Sequence, residues 1–160
     1  MSCPAPRRRP PVRLIGIGNL YRGDDRVGIV VARRLRAAKV PGTQVMEVCG
    51  EASSLMEAWR DADEVIVVDA VQSGARPGTI HRVAAHAQRL PSLFFHCSIH
   101  TFGLAEAIEL SRTLRQLPRR LIVYGIEGKS FAAGTNLSRE VAEAAEKVVQ
   151  RVRRQLAARK

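Results

Sequence analysis

Short apolar runs and helix-spaced apolar positions alternate along this chain. Val12–Ile17 is a compact apolar run that enters Gly16-Ile17-Gly18-Asn19, the pattern of a buried strand leading into a turn. Over residues 27–38, Val27, Val30, Val31 and Leu35 fall on one side while Arg33, Arg34 and Arg36 fall largely elsewhere, which predicts a helix. Thr43–Val48 alternates as a strand does, and residues 53–59 have helix spacing. EVIVV over residues 64–68 predicts a buried strand ending at Asp69. Pro77-Gly78 marks a turn before a short strand over 79–83, and residues 92–100 read as a loop or broken strand. A strong helix pattern covers 103–114, and RLIVYGI over 120–126 is another buried strand. Ser138 precedes Glu140 and Val141 and predicts the N-cap of a long final helix reaching to about residue 157. Strands alternating with helices imply an α/β fold, a mainly parallel sheet covered on both faces.

The length of 160 residues suits one domain with a sizeable core. Residues 1–11 are rich in Pro and Arg and are expected to form a disordered basic arm, with residues 12–160 as a single domain. No stretch approaches the roughly 18 uninterrupted apolar residues of a membrane helix. The apolar stretch after the early arginines is short and glycine-broken, so it reads as a core strand rather than an export signal, and a cytoplasmic protein is expected. Cys3, Cys49 and Cys97 are scattered, form no CxxC pair, and indicate neither a disulfide framework nor a thiolate zinc site. Cys49 is expected to be a small buried apolar residue.

The net charge of +11 invites a nucleic-acid reading. Its distribution argues against one: Arg7, Arg8, Arg9, Arg151, Arg153, Arg154, Arg159 and Lys160 supply eight of the charges, leaving +3 elsewhere. A solvated basic tail accounts for that pattern, and a folded basic groove is not expected. Aromatic residues, at 4%, leave few platforms for stacking bases.

Three segments place reactive side chains where such sheets bind ligands, at the C-terminal ends of strands near the topological switch point. They are Gly16 to Asp25 after the first strand, Val67-Val68-Asp69-Ala70 at the end of the third, and Ser98 to Leu104 at the start of a helix. The glycine loop is not a dinucleotide fingerprint, because Tyr21 stands where GxGxxG needs its last glycine and two acids follow. Its glycines read as a tight strand-to-helix turn, with Asp24 expected to cap the following helix. Asp69 ends a dry run, and a second carboxylate beside it would raise one pKa unless a cation compensates. His100 precedes a helix; His81, His86 and His96 lack that placement, His96 being the nearest rival. Two carboxylates and one imidazole suit nickel, zinc or a similar divalent ion with positions left open for water or substrate. HExxH, GxSxG and a Cys-His nucleophile pair are all absent from the sequence.

Taken in order, GIGNLYRGDD at 16–25, VGIVVARRL at 27–35, Gly50, VIVVDA at 65–70, SIHTFGL at 98–104 and YGIEGKSFAAGTNLS at 124–138 resemble the hydrogenase maturation proteases, the C-terminal processing endopeptidases of nickel-hydrogenase large subunits. The resemblance runs through residues 12 to 147. It implies a three-layer αβα sandwich around a twisted, mostly parallel sheet. It also implies one endoproteolytic cut, aspartic-type or nickel-assisted, in a hydrogenase large-subunit precursor after nickel insertion. By position Asp25, Asp69 and His100 match the family's metal-contacting residues, and they are the expected catalytic set. The first is often Glu in relatives. Glu51-Ala52 follows Gly50 where many relatives have a second glycine and a threonine, and Arg26 stands where some have glycine.

On this reading the nickel is supplied by the substrate and no permanently bound metal is expected. The partner is the precursor; a monomer is expected, with no specific nucleic acid and no membrane. A non-enzymatic nickel-dependent checkpoint or chaperone would use the same three ligands. A nucleic-acid module, motivated by the pI near 10.9, is a further rival.

Overall fold

The computed structural model describes residues 9–91 and 103–159. The elements run in chain order as β1 (Val12–Ile17), a 3-10 turn (Gly23–Arg26), α1 (Val27–Ala37), β2 (Thr43–Val48), α2 (Ala52–Trp59), β3 (Glu64–Val71), β4 (Ile80–Ala84), α3 (Leu104–Thr113), β5 (Arg120–Glu127) and α4 (Arg139–Ala157). The sheet order is β2-β1-β3-β5-β4, parallel except for β4, which pairs antiparallel with β5 at one edge. The fold is therefore α/β, three layers deep, as expected. Two expectations shift at the edges: β3 runs on through Asp69 to Val71, and β5 ends on Glu127.

The period of two along each strand divides the core. Ile15, Val65, Val67, Leu121 and Val123 face α2 and α3, while Leu14, Ile66, Val68, Ile122 and Tyr124 face α1 and α4. In α4, Val141, Ala144, Ala145, Val148, Val152 and Leu156 recur at helix spacing and all are buried. Each buried valine or leucine is worth about 1.5–3 kcal/mol over leaving it exposed. Trp59 of α2 donates its indole N–H to the Ser111 hydroxyl of α3 at 3.3 Å, which satisfies both polar groups inside the core. Glu106 accepts from the Gly103 N–H at 2.9 Å, closing the start of α3.

Between β1 and α1 the chain needs glycine for close approach. A Cβ on Gly28 would run into the carbonyl oxygens of Ile17 and Val68, and one on Gly16 into that of Gly28. The first turn of α1 therefore lies directly against the ends of β1 and β3. Gly23 combines φ +51° with a backbone hydrogen bond from its N–H to the Gly134 carbonyl at 3.0 Å.

The charge distribution differs from the expected solvated tails. Arg9 donates to the Arg159 carbonyl at 2.8 Å, and both arginines join Arg82, Arg119 and Arg120 in one cleft. A folded basic groove does exist, because β5 and the end of α4 bring together arginines far apart in sequence. Cys49 is exposed rather than buried.

Candidate active site

The strand order reverses at β1, which lies between β2 and β3, so the loops leaving β1 and β3 diverge at this point. Asp25 comes from the 3-10 turn after β1, and Asp69 from the last third of β3. Gly28 brings them together: it rests on the carbonyl of Val68, the residue before Asp69, three positions after Asp25. Both acids are half-buried. The Asp69 pKa is pushed up to about 8, first by burial and then by the Asp25 charge, while one hydrogen bond from the Ala70 N–H pulls it down. That hydrogen bond is 2.8 Å long. The pair thus resists carrying two negative charges at neutral pH.

Asp24, adjacent to Asp25, does something different from the expected helix capping. No side chain caps the 3-10 turn or α1. The Asp24 carboxylate is fully buried and reaches across the fold. It accepts from the N–H groups of Lys129 at 2.8 Å, Ser130 at 2.9 Å and Ser138 at 2.7 Å, and from the Ser138 hydroxyl at 2.8 Å. Burial alone would raise its pKa; the hydrogen bonds from Ser130, Ser138 and Lys129 outweigh that and hold it below the usual aspartate range. Ser138 is the N-cap residue of α4, as expected, but its hydroxyl serves Asp24 rather than its own helix.

His100 lies outside the described residues, as do His96 and Cys97. Among the described residues no three His, Cys, Asp or Glu side chains form a metal-holding group. Asp25 and Asp69 supply two oxygen donors of hard character.

Two neighbours are not visible in the sequence pattern. Glu127, only 1% exposed, accepts from the Ser73 N–H at 2.8 Å, the Ser73 hydroxyl at 2.7 Å and the Gly74 N–H at 3.1 Å. His81 stands 3.6 Å from it. In register, Asp69 and His81 both lie opposite Gly125, so they share the α2/α3 face of the sheet on either side of a glycine. An acid before glycine at a strand end reads as an exposed turn, which hides Glu127 from sequence reasoning. Beside the β1 loop, Gly18, Tyr21, Ile29, Val48 and Cys49 line a groove of about 440 Å³, with Tyr21 74% exposed.

A three-layer αβα sheet with two mutually repelling carboxylates at its switch point defines a class of α/β protein whose site suits a cation or shared-proton chemistry. Comparison with known proteins narrows the class. The hydrogenase maturation protease family model matches residues 29–155, and the chain belongs to that family. The hydrogenase expression/formation protein HupD of Thiocapsa roseopersicina is 30% identical over 76% of this chain, which spans only 56% of that relative's length. A putative hydrogenase maturation protease of Methanocaldococcus jannaschii is 27% identical, covering 89% of this chain and 94% of its own. In three dimensions the chain is similar to the hydrogenase maturating endopeptidase HybD from Escherichia coli, with TM-score 0.73, 20% identity and 89% of each chain covered. No helix among the described residues is long and apolar enough to cross a membrane.

Proposed function

We propose that this chain is an endopeptidase that removes the C-terminal peptide of a nickel-containing hydrogenase large-subunit precursor after nickel insertion. Asp25, Asp69 and His100 recognise nickel that the precursor already holds, so the metal arrives as part of the substrate. The observation that carries this reading, beside the family membership, is the pairing of Asp25 with an Asp69 whose pKa lies at about 8. Two carboxylates held together at a cost welcome a divalent cation, which removes their repulsion and displaces the proton. With the nickel-bearing segment docked, the scissile peptide lies beside the acids. The metal supplies Lewis-acid polarisation of a carbonyl or activation of a water. In the aspartic-type form of the same cut, Asp25 takes a proton from water as the water oxygen adds to the scissile carbonyl carbon, and protonated Asp69 gives its proton to the carbonyl oxygen. The C–N bond then breaks as the departing nitrogen takes the proton from Asp25 and the carbonyl re-forms by returning a proton to Asp69. The exposed Tyr21 and its groove offer an apolar surface to the substrate chain next to the β1 loop.

The test is incubation with nickel-loaded and nickel-free precursor, read by intact mass. Loss of one C-terminal peptide from the nickel-loaded form alone is the expected result. A stable complex with the loaded precursor at unchanged mass would replace the protease with a nickel-dependent checkpoint.

A further inference from the structure

The end of the sheet opposite Asp25 and Asp69 carries a cleft of about 960 Å³, formed by the starts of β3 and β5, the end of β4, the end of α4 and residues 9–10. Five guanidinium side chains line it, those of Arg9, Arg82, Arg119, Arg120 and Arg159, against the two carboxylates of Asp63 and Glu64. Glu64 is already engaged, 3.1 Å from Arg159 and 3.7 Å from Arg120. Among the described residues no carboxylate stands within ion-pair distance of Arg82 or Arg119. Arg82 is held 6.0 Å over the Tyr124 ring, which orients its guanidinium.

Gln155 and His86 complete the polar lining. Gln155 accepts from the Tyr124 hydroxyl at 3.4 Å, while its Nε2 is buried with no hydrogen-bond partner among the described residues. A buried amide left without an acceptor is costly, so an acceptor belongs there. His86 also lines the cleft, its Nδ1 3.1 Å from the Leu121 nitrogen and 3.2 Å from the Leu121 carbonyl oxygen.

We propose that this cleft binds a compact polyanion bearing adjacent phosphate groups. Guanidinium forks match phosphate oxygens bidentately. The volume is that of a small-molecule site. Phe, Trp and Tyr are absent from the described lining, so the stacking platforms of a single-stranded nucleic-acid groove are missing. The site lies about 16 Å along β3 from Asp69. It is independent of the proposed cleavage and stands or falls separately.

Titration calorimetry of the full chain with inorganic tripolyphosphate at about 0.15 M salt tests it. One saturable site is expected, weakened at least tenfold by Arg82→Ala combined with Arg119→Ala. Gln155→Leu should weaken binding severalfold without lowering the melting temperature, which a merely structural glutamine would not do. Arg76→Ala with Arg151→Ala, both outside the cleft, should leave binding unchanged. Absence of saturable binding overturns the proposal. So does equal weakening by the control pair, which marks non-specific attraction. Tighter binding of a mixed-sequence single-stranded oligonucleotide that depends on the same arginines also overturns it, in favour of an extended partner.

Discussion

Replacing Asp24 with alanine removes the acceptor of four hydrogen bonds, from the N–H groups of Lys129, Ser130 and Ser138 and from the Ser138 hydroxyl. A stranded buried donor costs about 1–3 kcal/mol. Water reaching the half-buried donors recovers part of this, so the expected loss is about 3–5 kcal/mol, well beyond the roughly 1 kcal/mol of a helix cap. For a chain of this size each kcal/mol moves the melting temperature by about 2–4 °C, so Asp24→Ala should melt about 10 °C lower. Asp24→Asn should fall between, because an amide oxygen placed at Oδ2 still serves Lys129, Ser130 and the Ser138 hydroxyl, while its NH2 faces the Ser138 N–H. The folded pKa of Asp24 is lowered, so its contribution is complete above the unfolded value of about 4 and fades as pH falls through the folded one. Melting followed by circular dichroism from pH 3 to 7 reads both effects. A parent and an Asp24→Ala protein melting within a degree or two of each other at pH 7 would refute this structural role for Asp24.

Asp25→Ala and Asp69→Ala should abolish precursor cleavage with an unchanged dichroism spectrum; normal cleavage by Asp69→Ala would remove it from the site. Asp69 titrates the other way from Asp24: its folded pKa of about 8 is raised, so the stability of its protonated form is lost as pH rises from about 4 to 8, by up to about 1.4 kcal/mol per unit. Asp69→Asn should therefore raise the melting temperature more at pH 8 than at pH 5, and an equal change at both would contradict the shift. Gly28→Ala forces a methyl group against the carbonyls of Ile17 and Val68, so a loss of about 1–3 kcal/mol in urea unfolding is expected together with weakened cleavage. Deleting residues 151–160 takes buried Val152 and Leu156 from the core, and should cost about 3–6 kcal/mol in the same assay rather than trimming an inert tail.

Periodicity reveals the elements because the sheet is covered on both faces. VIVV in β3 and LIVYGI in β5 carry no charged position to confuse the pattern, and the apolar face of α4 repeats over its whole length. The strand ends are harder to read. Asp69 interrupts an apolar run, yet β3 continues past it, because the backbone pairing with β5 extends to Val71. Asp25 and Asp69 are legible as loop and strand-end acids, but their proximity depends on Gly28, a residue that looks like an ordinary weak point in a helix. The role of Asp24 is set by donors 105 to 114 positions away, which no local pattern can announce. The basic cleft escapes a charge count along the chain for the same reason: Arg9 and Arg159 are 150 positions apart and hydrogen-bonded.

Asp24 and Asp69 are the same chemical group in opposite settings, and the number of donors around each separates them. Four donors converge on the Asp24 carboxylate, enough to overcome burial and keep it ionised. Among the described residues Asp69 has the Ala70 N–H as donor and, against it, the Asp25 charge, so burial prevails and the proton stays. A carboxylate saturated by donors has no lone pairs left to offer a cation or a substrate. One that is starved of donors keeps them available, and gains most when a cation arrives. The difference assigns the adjacent acids without reference to any relative: Asp24 fastens the loop before α4 to the turn below α1, and that turn holds Asp25 against Asp69. On the proposed reading, a divalent cation brought to Asp25 and Asp69 would relieve their repulsion and displace the proton. Should Asp24→Asn melt near the parent yet fail to cleave, that division of labour would be wrong, because a purely structural anion affects cleavage only through the stability and placement of the turn it holds.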